Sequence, residues 1–254
     1  PLFLRWTADV SRPAIATRLA RRSPNFLMCG IVGKNAFDGA PISLGLIDRM
    51  CASIRHRGPD DQGTYVNAGI GLGAVRLAVL DLSSLGHQPM ASEDGRLRLV
   101  FNGEIYNYRA LREELLARGH QFTSQGDAEA IVHLYEEEGE ACFSRLNGMF
   151  AIAIWDGKKK KLILARDRLG QKPLFYCQQP GRLLFGSELK SMLVVPGIEA
   201  RPSSTAVDLY FTYQYVPHPH CILDGFQKLS PGCLAVYQQG QLRVEPYWEL
   251  PASE

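Results

Sequence analysis

A strand-rich fold of the α+β or layered α/β kind is predicted by three observations. Short β-like runs recur from residue 29 onward, an Asp156-Gly157 dipeptide joins two of them as a hairpin candidate, and clear helical periodicity is confined to two stretches.

Along the chain, residues 29–32, 63–66, 70–80 and 97–101 read as strands, because β-branched, aromatic and aliphatic residues cluster there between turn formers. The hairpin pairs "MFAIAIW" with "KLILARD", and the run Lys158 to Lys161 after its turn reads as a solvated tip. In "YRALREELLARG" Leu111, Leu115 and Leu116 share a helix face that Gly119 closes. Ile131, Leu134 and Tyr135 form a second apolar face after Asp127, a candidate N-cap. No repeat of 20–50 residues and no Pro- or Ser-rich linker divides the chain after residue 28, which predicts one domain over 28–254.

A chain of 254 residues with 46% hydrophobic and 21% charged residues has ordinary globular composition. The net charge of +2, with no basic block interleaved with aromatics, argues against nucleic acid. No apolar run approaches the ~20 residues that span a bilayer, so no membrane partner is expected. Cys29, Cys51, Cys142, Cys177, Cys221 and Cys233 are scattered without CxxC spacing, which suggests neither zinc nor a disulfide framework, and a cytoplasmic location is the default.

Residues 1–27 carry Arg5, Arg12, Arg18, Arg21 and Arg22 against the single acid Asp9 and end in the breaker cluster Ser23-Pro24-Asn25. Little fixed structure is expected there. The segment reads as an upstream extension, a propeptide or a mis-called start.

Several motifs invite chemistry and are set aside. "GIGLGA" at 69–74 satisfies GxGxx[GA], but the residues after it read as strand where a dinucleotide site needs a helix N-terminus. "HPHC" at 218–221 reads as an extended turn, because prolines straddle one histidine and no matching ligand pair is visible. Cys29 is different. It follows Met28, precedes Gly30, and as the first residue of a trimmed chain would have its own α-amino group beside the thiol, with a reference pKa of about 7.7 to 8.0. Taken alone, a buried structural cysteine is the competing reading.

The company Cys29 keeps decides between them. "RHRGPDDQG" (55–63), "RLAVLDLSSLGHQPM" (76–90), "FNGEIYNYRALREEL" (101–115), "GDAEAIVHLYEEEG" (126–139), "LNGMFAIAIWD" (146–156), "ARDRLGQKPLFY" (165–176) and "FGSELKSML" (185–193) together resemble, in order, the class II glutamine amidotransferase domain. The wording of the first and third is most similar to the glutamine-hydrolysing asparagine synthases. The resemblance spans 28–254 and implies an N-terminal-nucleophile hydrolase with a four-layer αββα sandwich of two stacked antiparallel sheets.

The resemblance also implies roles. Cys29 attacks the side-chain amide of glutamine to give a γ-glutamyl thioester and ammonia, while the Asn102 side-chain amide and the Gly103 N–H stabilise the oxyanion. Arg76 takes the α-carboxylate, Asp127 the α-ammonium, Glu104 falls in the substrate motif, and the backbone of Leu77 and Val79 lines the pocket. Asn102-Gly103 can also be read as a type I′ turn after "RLRLVF", Arg76 as a surface residue on an edge strand, and Asp127 as a cap. Gly126 and Ala78 depart from the hydroxyl residues common in the family. Arg166, Asp167 and Lys172 read as a structural ion-pair cluster.

In the family, ammonia passes to a C-terminal synthetase domain that uses ATP and Mg2+ to amidate aspartate. No SGGxDS loop occurs here, so the chain reads as the glutaminase part of a longer enzyme. L-glutamine is the expected ligand, a homodimer is an open option, and neither cofactor nor metal is expected within this domain. The alternatives are an amidotransferase domain serving another acceptor, or a non-catalytic homologue acting as a regulatory module.

Overall fold

The computed structural model describes residues 28–78 and 83–251. Residues 1–27 and Val79 lie outside the described residues.

Twelve strands form among them: β1 Gly30–Ala36, β2 Asp61–Asn67, β3 Ile70–Arg76, β4 Met90–Ala91, β5 Leu97–Ile105, β6 Gly148–Asp156, β7 Lys161–Arg166, β8 Phe175–Gln179, β9 Arg182–Gly186, β10 Phe226–Lys228, β11 Cys233–Gln238 and β12 Gln241–Pro246. The helices are α1 Leu44–Ser53, α2 Tyr108–Ala117, α3 Asp127–Glu138, α4 Lys190–Leu193 and α5 Ser204–Tyr213. Two six-stranded sheets result, ordered β10-β8-β9-β1-β3-β2 and β12-β11-β7-β6-β5-β4, with antiparallel pairing throughout.

Alternation along the strands explains the stacking. In β6, Phe150, Ile152 and Ile154 pack with Leu111 and Leu115 of α2 and Ile131 and Leu134 of α3. The intervening Ala151 and Ala153 meet Ile31, Leu72 and Leu183 of the other sheet. Because side chains of a strand point alternately to opposite faces, a strand buried on both sides is apolar throughout. On the outer face of the first sheet, Val32, Val75 and Leu184 pack against Ile47 and Met50 of α1 and Met192 of α4. These three apolar interfaces separate four layers, so the fold is the αββα sandwich that the resemblance implied.

Some local readings need correction. Asn102 and Gly103 are not a turn: they lie inside β5, paired with Ala151 and Phe150 of β6. Leu116 is 47% exposed while Leu111 and Leu115 are buried, so the α2 stripe is narrower than its leucines suggest. The β6–β7 hairpin forms as expected, but through the four residues 157–160, with Lys160 at φ 48°. Lys161 is not part of a solvated tip; it opens β7, is buried, and pairs with Glu140 at 2.6 Å. Residues 69–74 belong to the β2–β3 hairpin, which agrees with setting the dinucleotide motif aside. No helix among the described residues is long and apolar enough to cross a membrane.

Candidate active site

Cys29 immediately precedes β1, which is flanked by β3 and β9 and therefore held on both edges. Its thiol faces both backbone groups of Leu77, with Leu77 N–H donating to Sγ at 3.4 Å and Sγ lying 3.6 Å from the Leu77 carbonyl. Burial pushes the thiol pKa up, opposed by the Leu77 amide and by the positive charge of Arg76. A raised pKa keeps the sulfur protonated near neutrality, so attack on a carbonyl needs a base close by.

One pocket is lined by Cys29, Arg76, Leu77, Gly103, Glu104 and Asp127. The structure thus brings together side chains and backbone from the start of β1, the end of β3, the middle of β5 and the start of α3. Asn102 adjoins this lining. By alternation it shares the face of Val100, the one turned toward the sheet that β1 belongs to. It is 1% exposed, and its amide Nδ2 is buried with no hydrogen-bond partner among the described residues. A buried donor left unpaired costs about 1–3 kcal/mol, so such groups call for an explanation. Gly103 is required sterically: a Cβ there would stand 2.0 Å from the Met149 carbonyl oxygen.

Arg76 carries the cationic side of the pocket. Its guanidinium reaches the Ser83 carbonyl at 3.4 Å, and a Cβ on Gly86 would approach the same group to 2.3 Å, so the glycine gives it room. It ends β3, paired with Asp61 of β2.

Two carboxyl groups carry the opposite side. Asp127 is not the cap of α3 but its first residue, with Gly126 at the N-cap position and no side-chain cap bond. Its Oδ2 accepts the Ile105 N–H at 2.8 Å, which ties the helix start to the end of β5. Burial raises its pKa to about 6, against the lowering effect of the Ile105 amide. Glu104 is pushed up to about 7, chiefly by burial and next by the charge of Asp127. Glu129 orders the loop ahead of them, accepting the backbone N–H and the hydroxyl of both Thr123 and Ser124.

Arg166, Asp167 and Lys172, expected as an ion-pair cluster, form no ion pair with one another among the described residues and are held mainly by backbone contacts. Asp167 is fully buried and accepts the backbone N–H of Phe150, Leu169, Gln171 and Lys172. Arg166 donates to the carbonyls of Lys172, Leu229 and Gly170. Lys172 extends its ammonium to Met28 Sδ at 3.4 Å, and burial lowers its pKa.

Arg57 was not among the expected site residues. It is 5% exposed, donates through Nε to the Cys29 carbonyl at 3.0 Å, accepts the Met28 N–H at its own carbonyl at 2.9 Å, and pairs with Glu188 at 3.0 Å. Asp60 accepts the Ala78 N–H at 3.0 Å, and Gln88 accepts the Phe101 N–H at 2.7 Å. All three lie in motifs that mark the family, which is the signal that points to them. "HPHC" forms a turn with a cis His218-Pro219 bond and a buried Cys221, away from the pocket lining.

Residues 28–248 match the family model described as a glutamine amidotransferase domain. Glutamine-hydrolyzing asparagine synthetase 3 of Bacillus subtilis is 38% identical over 231 residues, covering 89% of this chain and 38% of its own length. A putative glutamine-hydrolyzing asparagine synthetase 2 of Methanocaldococcus jannaschii is 39% identical over 246 residues, covering 88% of this chain and 47% of its own. The chain therefore spans less than half the length of these curated relatives. Among solved structures, a glutamine phosphoribosylpyrophosphate amidotransferase from B. subtilis superposes with a TM-score of 0.65 at 19% identity, covering 87% of this chain and 49% of that one. That likeness is one of fold.

Proposed function

Since this chain belongs to the glutamine amidotransferase domain family, we propose that it hydrolyses L-glutamine at Cys29 and supplies the ammonia for an ATP-dependent amidation of aspartate. The observation that carries the reading is the orphaned Asn102 amide beside a pocket that holds a thiol, a guanidinium and two carboxyl groups.

Free glutamine presents a carboxylate and an ammonium at one end and a carboxamide at the other. Arg76 offers planar N–H donors to the carboxylate, and Asp127 with Glu104 offers negative charge to the ammonium. Both carboxyl groups have raised pKa values without a ligand, so an arriving cation favours their ionised forms. The backbone carbonyl and amide of Leu77 line the wall between these ends and steady the thiol.

With the far end fixed, the carboxamide carbon meets Sγ. The S–C bond forms as the α-amine of Cys29 takes the thiol proton, and the carbonyl oxygen becomes an oxyanion facing Asn102 Nδ2 and the Gly103 N–H. Collapse breaks the C–N bond, the amine returns its proton to the leaving nitrogen, and ammonia departs. Water then cleaves the γ-glutamyl thioester, releasing glutamate and restoring the thiol.

This scheme requires a basic nitrogen on Cys29. While Met28 remains attached, that nitrogen is an amide without a basic lone pair and cannot take the thiol proton, whose loss burial already disfavours. Removal of everything before Cys29 is therefore part of the proposal. Aspartate is preferred as acceptor because relatives at 38–39% identity are named asparagine synthetases. ATP and Mg2+ belong to a synthetase segment of the polypeptide, and no step of the glutamine chemistry runs through them.

The test is to release the segment before Cys29 by an engineered cleavage site and assay glutamate production. Protein beginning at Cys29 turns over glutamine and is labelled at that thiol by an electrophilic glutamine analogue; protein retaining residues 1–28 does neither. Equal activity in both forms removes the amine from the mechanism, and inactivity in both removes the glutaminase.

A further inference from the structure

A second group of side chains converges on α3, six residues and about 9 Å along the helix from Asp127. His133, with a side chain only 3% exposed, places Nδ1 3.1 Å from Nδ1 of His120 and 3.1 Å from Oε2 of Glu136. One donor atom from each of the three residues lies within 4.8 Å of the others. His120 comes from the turn that follows α2, and Glu136 sits one turn beyond His133 on α3.

His120 Nε2 lies 2.9 Å from Glu137 Oε1, and in the neutral tautomer that donates to this carboxylate Nδ1 presents a lone pair. Glu136 presents another. Both point at the Nδ1–H of His133, so three electron pairs surround one proton. In a tetrahedral zinc site with bonds near 2.0–2.1 Å, neighbouring ligand atoms stand about 3.3 Å apart. The two separations of 3.1 Å are already close to that spacing.

The surroundings match a metal site as well. Ligating histidines donate their other ring N–H to a carboxylate or carbonyl, which fixes the tautomer. His120 has Glu137 for this. His133 Nε2 is buried without a hydrogen-bond partner among the described residues and has Glu129 Oε1 3.9 Å away. Transfer of the His133 hydrogen from Nδ1 to Nε2 would free the ligating lone pair and turn the new N–H toward Glu129. Glu129, Glu136 and Glu137 outnumber the two guanidinium groups that contact them, Arg96 at 3.4 Å and Arg118 at 3.5 Å.

We propose that His120 Nδ1, His133 Nδ1 and the Glu136 carboxylate bind a divalent transition-metal ion of the Zn2+, Co2+ or Ni2+ type. Imidazole and carboxylate donors suit these ions. Water takes the fourth position on the side where His120 and Glu136 are partly exposed. The ion clamps the turn after α2 onto the helix that begins with Asp127, and it takes no part in glutamine chemistry.

The test uses the tag-free 254-residue chain carrying Cys29→Ala, so that the pocket thiol does not compete. Calorimetric titration with Zn2+ and absorption titration with Co2+ at pH 7.5 should each show one saturable equivalent. The cobalt spectrum should be that of nitrogen and oxygen ligands, without thiolate charge transfer, and Zn2+ should raise Tm. His120→Ala, at a partly exposed turn, should weaken binding more than tenfold and abolish the rise in Tm. Glu137→Gln should weaken it about 10- to 100-fold through the outer hydrogen bond. No saturable uptake by the parent, a thiolate spectrum, or unchanged affinity in His120→Ala overturns the proposal.

Discussion

Exchanging Asp127 for asparagine should make the protein more stable and less able to hold glutamine. The carboxyl ionises near 3.8 in an unfolded chain and at about 6 in the folded protein. A raised acid pKa means that folding takes up a proton across this window; stability falls as pH rises through it, and the full penalty stands above pH 6. At 1.36 kcal/mol for each pH unit between the two values, the penalty is roughly 3 kcal/mol at pH 7.5 and about half that at pH 5. The replacement amide keeps an oxygen for the Ile105 N–H but buries a nitrogen whose pairing is imperfect, which costs about 1 kcal/mol. A net gain of about 1–2 kcal/mol remains, worth roughly 3–6 °C in Tm for a chain of this size. The lost charge removes a hydrogen bond to the substrate ammonium worth about 1.5–3 kcal/mol, so KM for glutamine should rise about 10- to 150-fold. Thermal unfolding of Asp127→Asn at pH 7.5 and pH 5, with steady-state kinetics on trimmed protein, reads both effects. A lower Tm at pH 7.5, or an unchanged KM, refutes the reasoning.

Two other outcomes follow from the same pocket. Asn102→Ala should lower kcat about 100- to 1,000-fold with little change in KM, since the amide meets charge that develops only as the thiol attacks; a variant with parental kcat removes Asn102 from the oxyanion site. For the trimmed parent, kcat/KM for glutamine should climb as pH rises through about 6–7, because the Glu104 and Asp127 pair must ionise to accept an ammonium. Glu104→Gln should lose the upper part of that rise, and a profile flat between pH 5.5 and 7.5 excludes the carboxyl pair from substrate binding.

Much of this architecture is legible in residue order, for identifiable reasons. The β6–β7 hairpin and the buried stripes of α2 and α3 rest on contacts between near neighbours, which periodicity records. The Asn102-Gly103 dipeptide carries a local turn signal, but pairing along the whole of β5 and β6 overrides it. α5 is hidden because only Ala206 of its ten residues is buried, so no apolar stripe exists to be read. α1 is readable in principle, from Ser43 as cap and the buried Leu46, Ile47, Met50 and Cys51.

At the site, the resemblance named Cys29, Arg76, Leu77, Gly103, Glu104 and Asp127, which line one pocket, but the supporting contacts lie beyond any local pattern. Arg57 acts through Glu188, 131 residues away, and Arg166 through Leu229, 63 residues away. The protonation of Glu104 and Asp127 depends on their shared burial, which no single segment encodes. The His120, His133 and Glu136 group is hidden similarly, since one histidine belongs to the turn after α2 and the other to α3.

The anchorage of β1 has a bearing on when such an enzyme switches on. This strand is stitched into its sheet by β3 from Gly30 onward and by β9 from Val32 onward. Among the described residues, Met28 is held by a main-chain bond to Arg57 and a side-chain contact with Lys172. Clipping the chain ahead of the nucleophile sacrifices those links and leaves the ladder whole. Under the proposed mechanism, exposure of the Cys29 amine would then act on a scaffold whose sheet is already complete, so that activation and folding are separable steps.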